Sequence, residues 1–274
     1  MVITRYLFKF YYIGLKRFYG SQRQPSKLTI EDCLIEAFLK KRYINNLEDS
    51  GFEVASRTDR FVSARGAIFS IKTNKVPILM EINSILPKQI GLWAYTPVPL
   101  PYLSRFNAEY RHYKYFMPFT KNLNLKVIKK ACKELEGRHD FKNFSKRENK
   151  EINTIRDMIS VNFGIREHFI IFNFKSKAFL RQQIRRIVAK LIELGLNIIS
   201  FDDFRELFNS HEYISYQPAN ATGLILWDIV YGKDIEFIYD NKSLERMKNI
   251  FFKLEQESNQ KRFLFKIMQH NDIG

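Results

Sequence analysis

The run Arg5-Tyr6-Leu7-Phe8-Lys9-Phe10-Tyr11-Tyr12 is rich in aromatic residues and has few charged ones, a composition typical of a β-strand. Gly14 and Gly20 then bracket a basic loop, because glycine interrupts regular structure. Thr29 can cap a following helix that carries a single apolar stripe. The stripe consists of Ile30, Cys33, Leu34, Ala37 and Phe38. Residues 5–38 therefore predict a strand, a loop and an amphipathic helix, in that order.

Strands and loops continue beyond this helix. Short strands are predicted at 52–54 and 67–71, and the polar, arginine-rich segment 55–66 between them is expected to be an exposed loop. A short helix at 83–90 and a strand at 91–95 complete the first half. Pro97, Pro99 and Pro101 are expected to end regular structure and to mark a domain boundary.

The second half repeats the alternation of strands and helices. The predicted elements are a strand at 108–118, a helix from Asn124 to Gly137, a hairpin at 155–164 and 169–175, a helix at 179–194 stopped by Gly195, a strand at 224–231 and a basic helix at 242–258. None of the strands has the unbroken apolar character of a doubly wound parallel sheet, so the fold class is predicted to be α+β with a largely antiparallel sheet. We expect an N-terminal half at 1–100, a C-terminal half at 101–240 and a helical extension at 241–274.

The charge of the chain points to a polyanionic partner. Its 274 residues contain 45 lysines and arginines against 29 acidic residues, which gives a net charge of +16. RNA, DNA or acidic lipid would suit this charge, although basic composition alone also occurs without any such partner. Hydrophobic residues make up 45% of the chain, enough for a folded core.

Several classes of protein are disfavoured by the sequence. Cys33 and Cys132 are far apart and predict buried free thiols in a reducing compartment, while the five histidines lack the spacing of a metal site, so no metal is expected. Gly20 is followed by Ser21-Gln22, which excludes a P-loop. The absence of an uncharged apolar stretch of transmembrane length predicts a soluble intracellular protein with no membrane partner.

Asp59 is the one carboxylate in a loop that also carries Arg57, Arg60 and Arg65. Such a loop is most simply a solvated basic segment with one salt bridge. The alternative is chemical, because a carboxylate that nearby arginines keep ionised suits a nucleophile or base beside a polyanion. The residues alone leave both interpretations open.

The segment Arg57-Thr58-Asp59-Arg60-Phe61-Val62-Ser63-Ala64 resembles the central motif of the tRNA pseudouridine synthase A family, in its archaeal-like branch. That motif runs Ser-Gly-Arg-Thr-Asp, then one residue, then Gly-Val and a short stretch that ends in alanine. Phe61 departs from it, since it stands where the family has glycine.

Other family motifs follow in the expected order along residues 5–232. They are Tyr12-x-Gly14 through Phe18-x-Gly20-x-Gln22-x-Gln24-Pro25, then Phe106-Asn107-Ala108 with Tyr113-Lys114-Tyr115, then Gly137-Arg138-His139-Asp140-Phe141, then Phe179-Leu180-Arg181-Gln182-Gln183-Ile184-Arg185, and finally Ala221-Thr222-Gly223-Leu224-Ile225-Leu226.

The resemblance implies a fold and an activity. The fold would be two ferredoxin-like halves whose sheets join into one central sheet and form a basic cleft. The activity would be the isomerisation of uridine to pseudouridine at positions 38, 39 or 40 of the tRNA anticodon stem-loop, without cofactor or metal, by a cytoplasmic homodimer. A sister synthase with other RNA targets, or a catalytically silent RNA-binding module of the same fold, is the alternative.

The resemblance also implies roles for individual residues. Asp59 would attack the ribose at C1′ or remove the C2′ proton, and Arg185 would pair with it, although an arginine there could equally lie on phosphate or water. Tyr113 would stack on the uracil and could take the C5 proton, although core packing is the commoner role of a strand tyrosine. Leu224 and Leu226 would form the floor of the substrate pocket.

Five residues are expected to contact the RNA. Arg57 would meet the backbone or the vacated stack of a nucleotide flipped into the pocket, unless it only forms a salt bridge within its loop. Basic loops around the cleft would hold phosphates. The RNA-binding residues expected are Arg57, Arg60, Gln22, Arg23 and Arg181.

Overall fold

The computed structural model describes residues 2–148, 151–209 and 211–269. Its strands are β1 (Thr4–Tyr12), β2 (Glu53–Val54), β3 (Ser63–Thr73), β4 (Ile90–Val98), β5 (Tyr110–Pro118), β6 (Gly137–Asp140), β7 (Ile155–Arg166), β8 (Phe169–Ser176), β9 (Leu224–Val230) and β10 (Ile238–Tyr239). Its helices are α1 (Ile30–Lys40), α2 (Leu47–Ser50), α3 (Leu79–Asn83), α4 (Leu125–Glu134), α5 (Gln183–Gly195), α6 (Phe201–Glu206) and α7 (Asn241–Met268). A 3₁₀ turn at Ala221–Gly223 precedes β9.

The strands form one sheet in the order β10-β4-β1-β3-β9-β5-β8-β7-β6, with β2 paired to β3. Most pairs are antiparallel, and the exception lies at the centre, where Ser63 and Ala64 of β3 pair in parallel with Ile225 and Leu226 of β9. The predicted α+β class with a mainly antiparallel central sheet is confirmed. The division at residue 100 stays a prediction, since β10 pairs with β4 across it.

The core explains why the opening stretch folds as predicted. Phe8 of β1 stacks on Phe69 of β3 with ring centroids 5.1 Å apart, and Phe38 of α1 meets the Phe8 ring edge-on at 5.1 Å. Thr29 accepts the Asp32 N–H, and the Asp32 carboxylate accepts the Thr29 N–H, which completes a capping box at the start of α1. The predicted strand, loop and helix are confirmed.

Helix α5 starts later than the pattern predicted. Gln182 has a φ of +60°, a left-handed conformation that a helix interior does not accept, so residues 179–182 lie before the helix. Arg181, which the predicted helix at 179–194 would place one turn before Arg185, therefore lies outside α5, and this corrects the prediction. Gly195 is the last helical residue and not a stop beyond it, and a Cβ there would come within 2.6 Å of Ile128 Cδ1.

Other element bounds also differ from the prediction. Residues 63–66 belong to β3, and the short helix lies at 79–83, before the predicted span. Strand β4 continues through Pro97, which is tolerated because β10 pairs only with residues 94 and 95 and leaves that end of β4 at the sheet edge. Gly137 begins β6, whereas α4 ends at Glu134.

Helix α7 is longer than predicted and leaves the body of the protein. Its first turns pack on β1 and β4 through Met247, which is 5% exposed, and through Phe251, whose ring lies 5.1 Å from that of Tyr11. Residues 255–268 are all exposed. The described helices include none that is both long enough and apolar enough to span a bilayer.

Candidate active site

The loop that carries Asp59 joins β2 to β3 and is docked on the basic loop after β1. The Thr58 N–H donates to Ser21 Oγ at 2.8 Å, and the Ser21 N–H donates to the Thr58 carbonyl at 3.2 Å. The hydroxyls of Tyr12 and Thr58 lie 2.6 Å apart in a further hydrogen bond. Strand β1 and the loop after it therefore hold Thr58, the residue before Asp59, in place.

Two glycines make this docking sterically possible. A Cβ on Gly14 would lie 2.4 Å from the carbonyl carbon of Phe61, which is too close for two non-bonded atoms. Gly20 has a φ of +92°, and a Cβ there would lie 3.1 Å from the Thr58 carbonyl oxygen. The glycines of the first loop thus allow its backbone to approach the Asp59 loop closely.

Asp59 and Arg185 form an ion pair across 126 residues of sequence. Arg185 Nη1 donates to Asp59 Oδ2 at 3.0 Å, and the side chain of Arg185 is 13% exposed and that of Asp59 28%. Arg185 Nε also donates to the Ala219 carbonyl at 2.8 Å, while the Ala219 N–H donates to the Arg185 carbonyl at 2.9 Å. The guanidinium is held in place, so it orients one carboxylate oxygen in a partly desolvated cleft.

Tyr113 of β5 completes a three-residue cluster. Its hydroxyl is 2.9 Å from Ser56 Oγ, and its ring meets Phe179 edge-on at 5.2 Å. Burial raises the pKa of Tyr113, and the nearby negative charge of Asp59 raises it further against the opposing effect of Ser56 and Arg111. The phenol is consequently protonated at neutral pH.

The pairing of β5 with β9 places the two expected pocket leucines beside two tyrosines. Leu226 lies opposite Tyr113 and Leu224 opposite Tyr115. Leu226 is fully buried and Leu224 is 7% exposed. These side chains belong to the same buried cluster as the tyrosines and leave little surface for a direct contact to substrate.

Phe61 adopts the backbone conformation that the family's glycine would adopt without strain. Its φ is +69°, in the left-handed region. The Arg60 guanidinium carbon lies 4.0 Å from the Tyr19 ring centroid and 4.7 Å from that of Phe61, and Nη2 donates to the Lys16 carbonyl at 2.8 Å. Arg60 thus connects the Asp59 loop to the loop after β1.

The other expected RNA-binding residues form ion pairs elsewhere or are exposed. Arg57 is half exposed, with Nε 3.9 Å from Glu31 Oε1, and Arg23 Nε is 3.1 Å from Asp32 Oδ1. Gln22 is exposed. Arg181 Nη1 is 3.6 Å from Glu148 Oε1. Of the cations that the structure describes, Arg185 alone forms an ion pair with Asp59.

Some residues that build this site carried no role in the sequence-based prediction. Ser56 and Ala219 reach Tyr113 and Arg185 only through folding, and neither residue type signals such a contact. Tyr12 and Ser21 offered a better signal, because they sit beside Gly14 and Gly20, whose spacing already indicated a special loop.

Comparison with known proteins gives a consistent result. Residues 131–232, which include Arg185, match the family model described as tRNA pseudouridine synthase. The tRNA pseudouridine synthase A of Methanosphaera stadtmanae is 33% identical over 97% of this chain and 100% of its own length. The protein of that name from Methanosarcina mazei is 34% identical over 88% of this chain and 90% of its own, and that from Pyrococcus furiosus is 33% identical over 89% and 90%. With this coverage, the chain belongs to the tRNA pseudouridine synthase A family.

Proposed function

We propose that this protein isomerises uridine to pseudouridine in tRNA and that Asp59 is the catalytic carboxylate. The observation that carries the proposal is the pair of Asp59 with a fixed Arg185 beside the buried Tyr113. A partly exposed carboxylate that a fixed arginine orients suits nucleophilic or general-base chemistry at a ribose.

The reaction breaks the bond between N1 of uracil and C1′ of ribose and forms a bond between C5 and C1′. The base leaves with the N1 electron pair and rotates, C5 then attacks C1′, and the C5 proton is lost while N1 gains one. Asp59 either adds to C1′ and is displaced by C5, or removes the C2′ proton and returns it afterwards. Arg185 stabilises the ionised carboxylate in both routes.

Tyr113 is proposed as the surface on which the uracil stacks. Its ring is braced by Phe179, and its hydroxyl is held by Ser56. Because its pKa is raised, the phenol is a poor base in the free enzyme, so we assign the removal of the C5 proton to solvent or to Asp59 rather than to Tyr113.

RNA binding is proposed for the basic residues around the cleft. The half-exposed Arg57 has a long contact to Glu31 as its one ion pair within the described part of the chain, so it is available to the backbone or the vacated stack of a flipped nucleotide. Gln22, Arg23 and Arg181 would meet flanking phosphates, and Arg60 would act mainly by positioning the loops. Positions 38, 39 and 40 of the anticodon stem-loop, a homodimeric assembly and a cytoplasmic location complete the proposal.

Tritium release from tRNA that carries 5-³H-uridine tests the proposed activity, since loss of the C5 proton accompanies each turnover. Wild type and an Arg205→Met surface control are expected to release tritium, and Asp59→Asn is not. Mapping of modified uridines on total tRNA would then assign the positions. Absence of turnover by wild type on every tRNA would contradict the proposal and favour a silent RNA-binding protein.

A further inference from the structure

A second basic cluster lies on α5 next to the pair described above. Arg186 is 5% exposed and Gln183, one helical turn before it, is 1% exposed. Tyr216, from the segment that follows α6, places its ring 4.6 Å from the Arg186 guanidinium carbon. Lys190, one turn further along α5, brings its Nζ to 4.3 Å from the same ring.

The polar atoms of this cluster are buried without partners. Within the described residues, Arg186 Nε and Nη1, Gln183 Nε2 and the Tyr216 hydroxyl make no hydrogen bond of good geometry, although Arg186 lies close enough to the Tyr216 hydroxyl to oppose the effect of burial on its pKa. Of the described carboxylates, none pairs with Arg186. A buried guanidinium without a counter-charge is costly, so native proteins rarely leave one in that state unless a ligand completes it.

The chemistry of the free atoms identifies the class of ligand. The nitrogen atoms of Arg186 and Gln183 only donate hydrogen bonds. Burial raises the pKa of Tyr216, so its hydroxyl is protonated and can donate as well. Hydrogen-bond donors grouped around a positive charge suit an oxyanion ligand. The planar guanidinium of arginine can donate two parallel hydrogen bonds, which suits phosphate in particular.

The position of the cluster links it to the proposed reaction. Arg185 and Arg186 are consecutive on α5, so their backbones are adjacent although their side chains leave the helix about 100° apart. The segment that carries Tyr216 continues to Ala219, which is bonded twice to Arg185. A group bound at Arg186 would therefore lie close to the nucleotide that Asp59 addresses.

We propose that Arg186, Gln183 and Tyr216 form a phosphate-binding site that holds a phosphodiester of the substrate RNA next to the reacting nucleotide. Tyr216 covers the guanidinium and adds the last donor once the phosphate is seated. The identity of the RNA rests on the proposed function, whereas the phosphate site itself does not.

The first experiment measures the melting temperature of the full chain with inorganic phosphate and with chloride at equal ionic strength. Phosphate is expected to raise the melting temperature of wild type and of Arg205→Met, a half-exposed arginine on α6 that pairs with Glu134. Arg186→Met is expected to lose this shift. Tyr216→Phe removes only a hydroxyl and should reduce the shift, which keeps the test valid if Arg186→Met folds poorly. Equal phosphate and chloride curves for wild type would contradict the site, and a phosphate shift retained in both variants would indicate an adventitious ion only.

The second experiment distinguishes an RNA phosphate from free phosphate. The slope of log Kd for tRNA against log salt should be smaller in magnitude by about 0.7–0.9 in Arg186→Met, the change expected for one lost phosphate contact. An unchanged slope together with a lost phosphate shift would overturn the assignment to RNA. Because this readout is binding, Asp59→Asn should keep the wild-type slope even if the proposed chemistry fails.

Discussion

Phe61 combines a strained backbone angle with a packed ring, and substitutions can separate the two effects on stability. Its φ of +69° costs an L-residue about 1–2 kcal/mol that glycine does not incur. We predict that Phe61→Gly is more stable than Phe61→Ala by roughly 1 kcal/mol, because both lose the ring but only glycine relieves the strain. Urea unfolding of the two variants measures this difference. Alanine equal to or above glycine, the usual order elsewhere, would show that the angle is not strained.

Arg185 is expected to act on chemistry more than on affinity. Removing the charged partner of Asp59 in Arg185→Met loses a charge-assisted bond worth about 2–3 kcal/mol, so the turnover number should fall roughly 100-fold. The Kd for tRNA should change less than about 3-fold, measured by filter binding beside Arg205→Met. A loss of affinity with turnover unchanged would move Arg185 to the phosphate-binding residues.

At the residue scale, the sequence pointed to Asp59, Arg185 and Tyr113 through motifs, and the structure brings these three side chains together. It could not show that Ser56 holds Tyr113 or that Ala219 holds Arg185. Those contacts span 57 and 34 residues and involve residue types that are common everywhere. The expected contact of Arg60 with RNA stays a prediction, and the sequence did not indicate that its guanidinium lies against the rings of Tyr19 and Phe61.

Among the elements, the loop after β1 is expected to position the Asp59 loop. Ser21→Ala removes the acceptor of the Thr58 N–H and should leave that donor poorly satisfied, at a cost of about 1–3 kcal/mol. We predict a turnover number lowered about 10-fold with KM nearly unchanged, because Ser21 acts through Thr58 and not on tRNA. Ser258→Ala, on the exposed part of α7, is the matched control. Steady-state tritium release measures both parameters, and a change in KM alone would place Ser21 on the substrate.

The two ends of helix α7 should contribute differently to the free energy of unfolding. Met247→Ala creates a cavity against β1 and β4 and is expected to cost about 2–5 kcal/mol. Phe263 lies in the part of the helix where the described residues are all exposed and is itself 63% exposed, so the effect of Phe263→Ala should stay within about 0.5 kcal/mol. Chemical denaturation of the two variants compares them directly. A large loss for Phe263→Ala would mean that the outer helix is buried in solution.

The order and type of the main elements followed from periodicity and turn residues, whereas their ends did not. The start of α5 is set by the left-handed Gln182, a residue with no special preference for that conformation. The end of β4 was misplaced because Pro97 is tolerated only where the neighbouring strand stops, which is a property of the sheet and not of the local sequence.

In the whole molecule, the site depends on the junction between β3 and β9. The parallel pairing of Ser63 and Ala64 with Ile225 and Leu226 brings the Asp59 loop over β5 and Tyr113. The sequence predicted strands on both sides of this junction but not their parallel pairing, since pairing partners 162 residues apart leave no local signal.

Alkaline pH should destabilise the whole fold through its buried tyrosines. Burial raises the pKa of Tyr12 and Tyr113 above 10.0, so the folded state resists ionisation that the unfolded chain accepts. The contribution of these tyrosines to the free energy of unfolding is complete below pH 10. It is lost as the pH rises beyond that value, at about 1.4 kcal/mol per pH unit for each group. Tyr12→Phe should make the decline shallower by about that amount. Unfolding free energies between pH 9 and 11 measure it, and identical slopes would refute a buried Tyr12.

The central claim is that Asp59 performs the chemistry, and single-turnover tritium release at saturating enzyme tests it most directly. Under these conditions every tRNA is bound, so a difference in rate reports the reaction and not the affinity. Asp59→Asn keeps the size of the side chain and is predicted to bind tRNA like wild type while releasing no tritium above background. Tritium release by the fully bound Asp59→Asn variant at a rate near that of wild type would contradict the account.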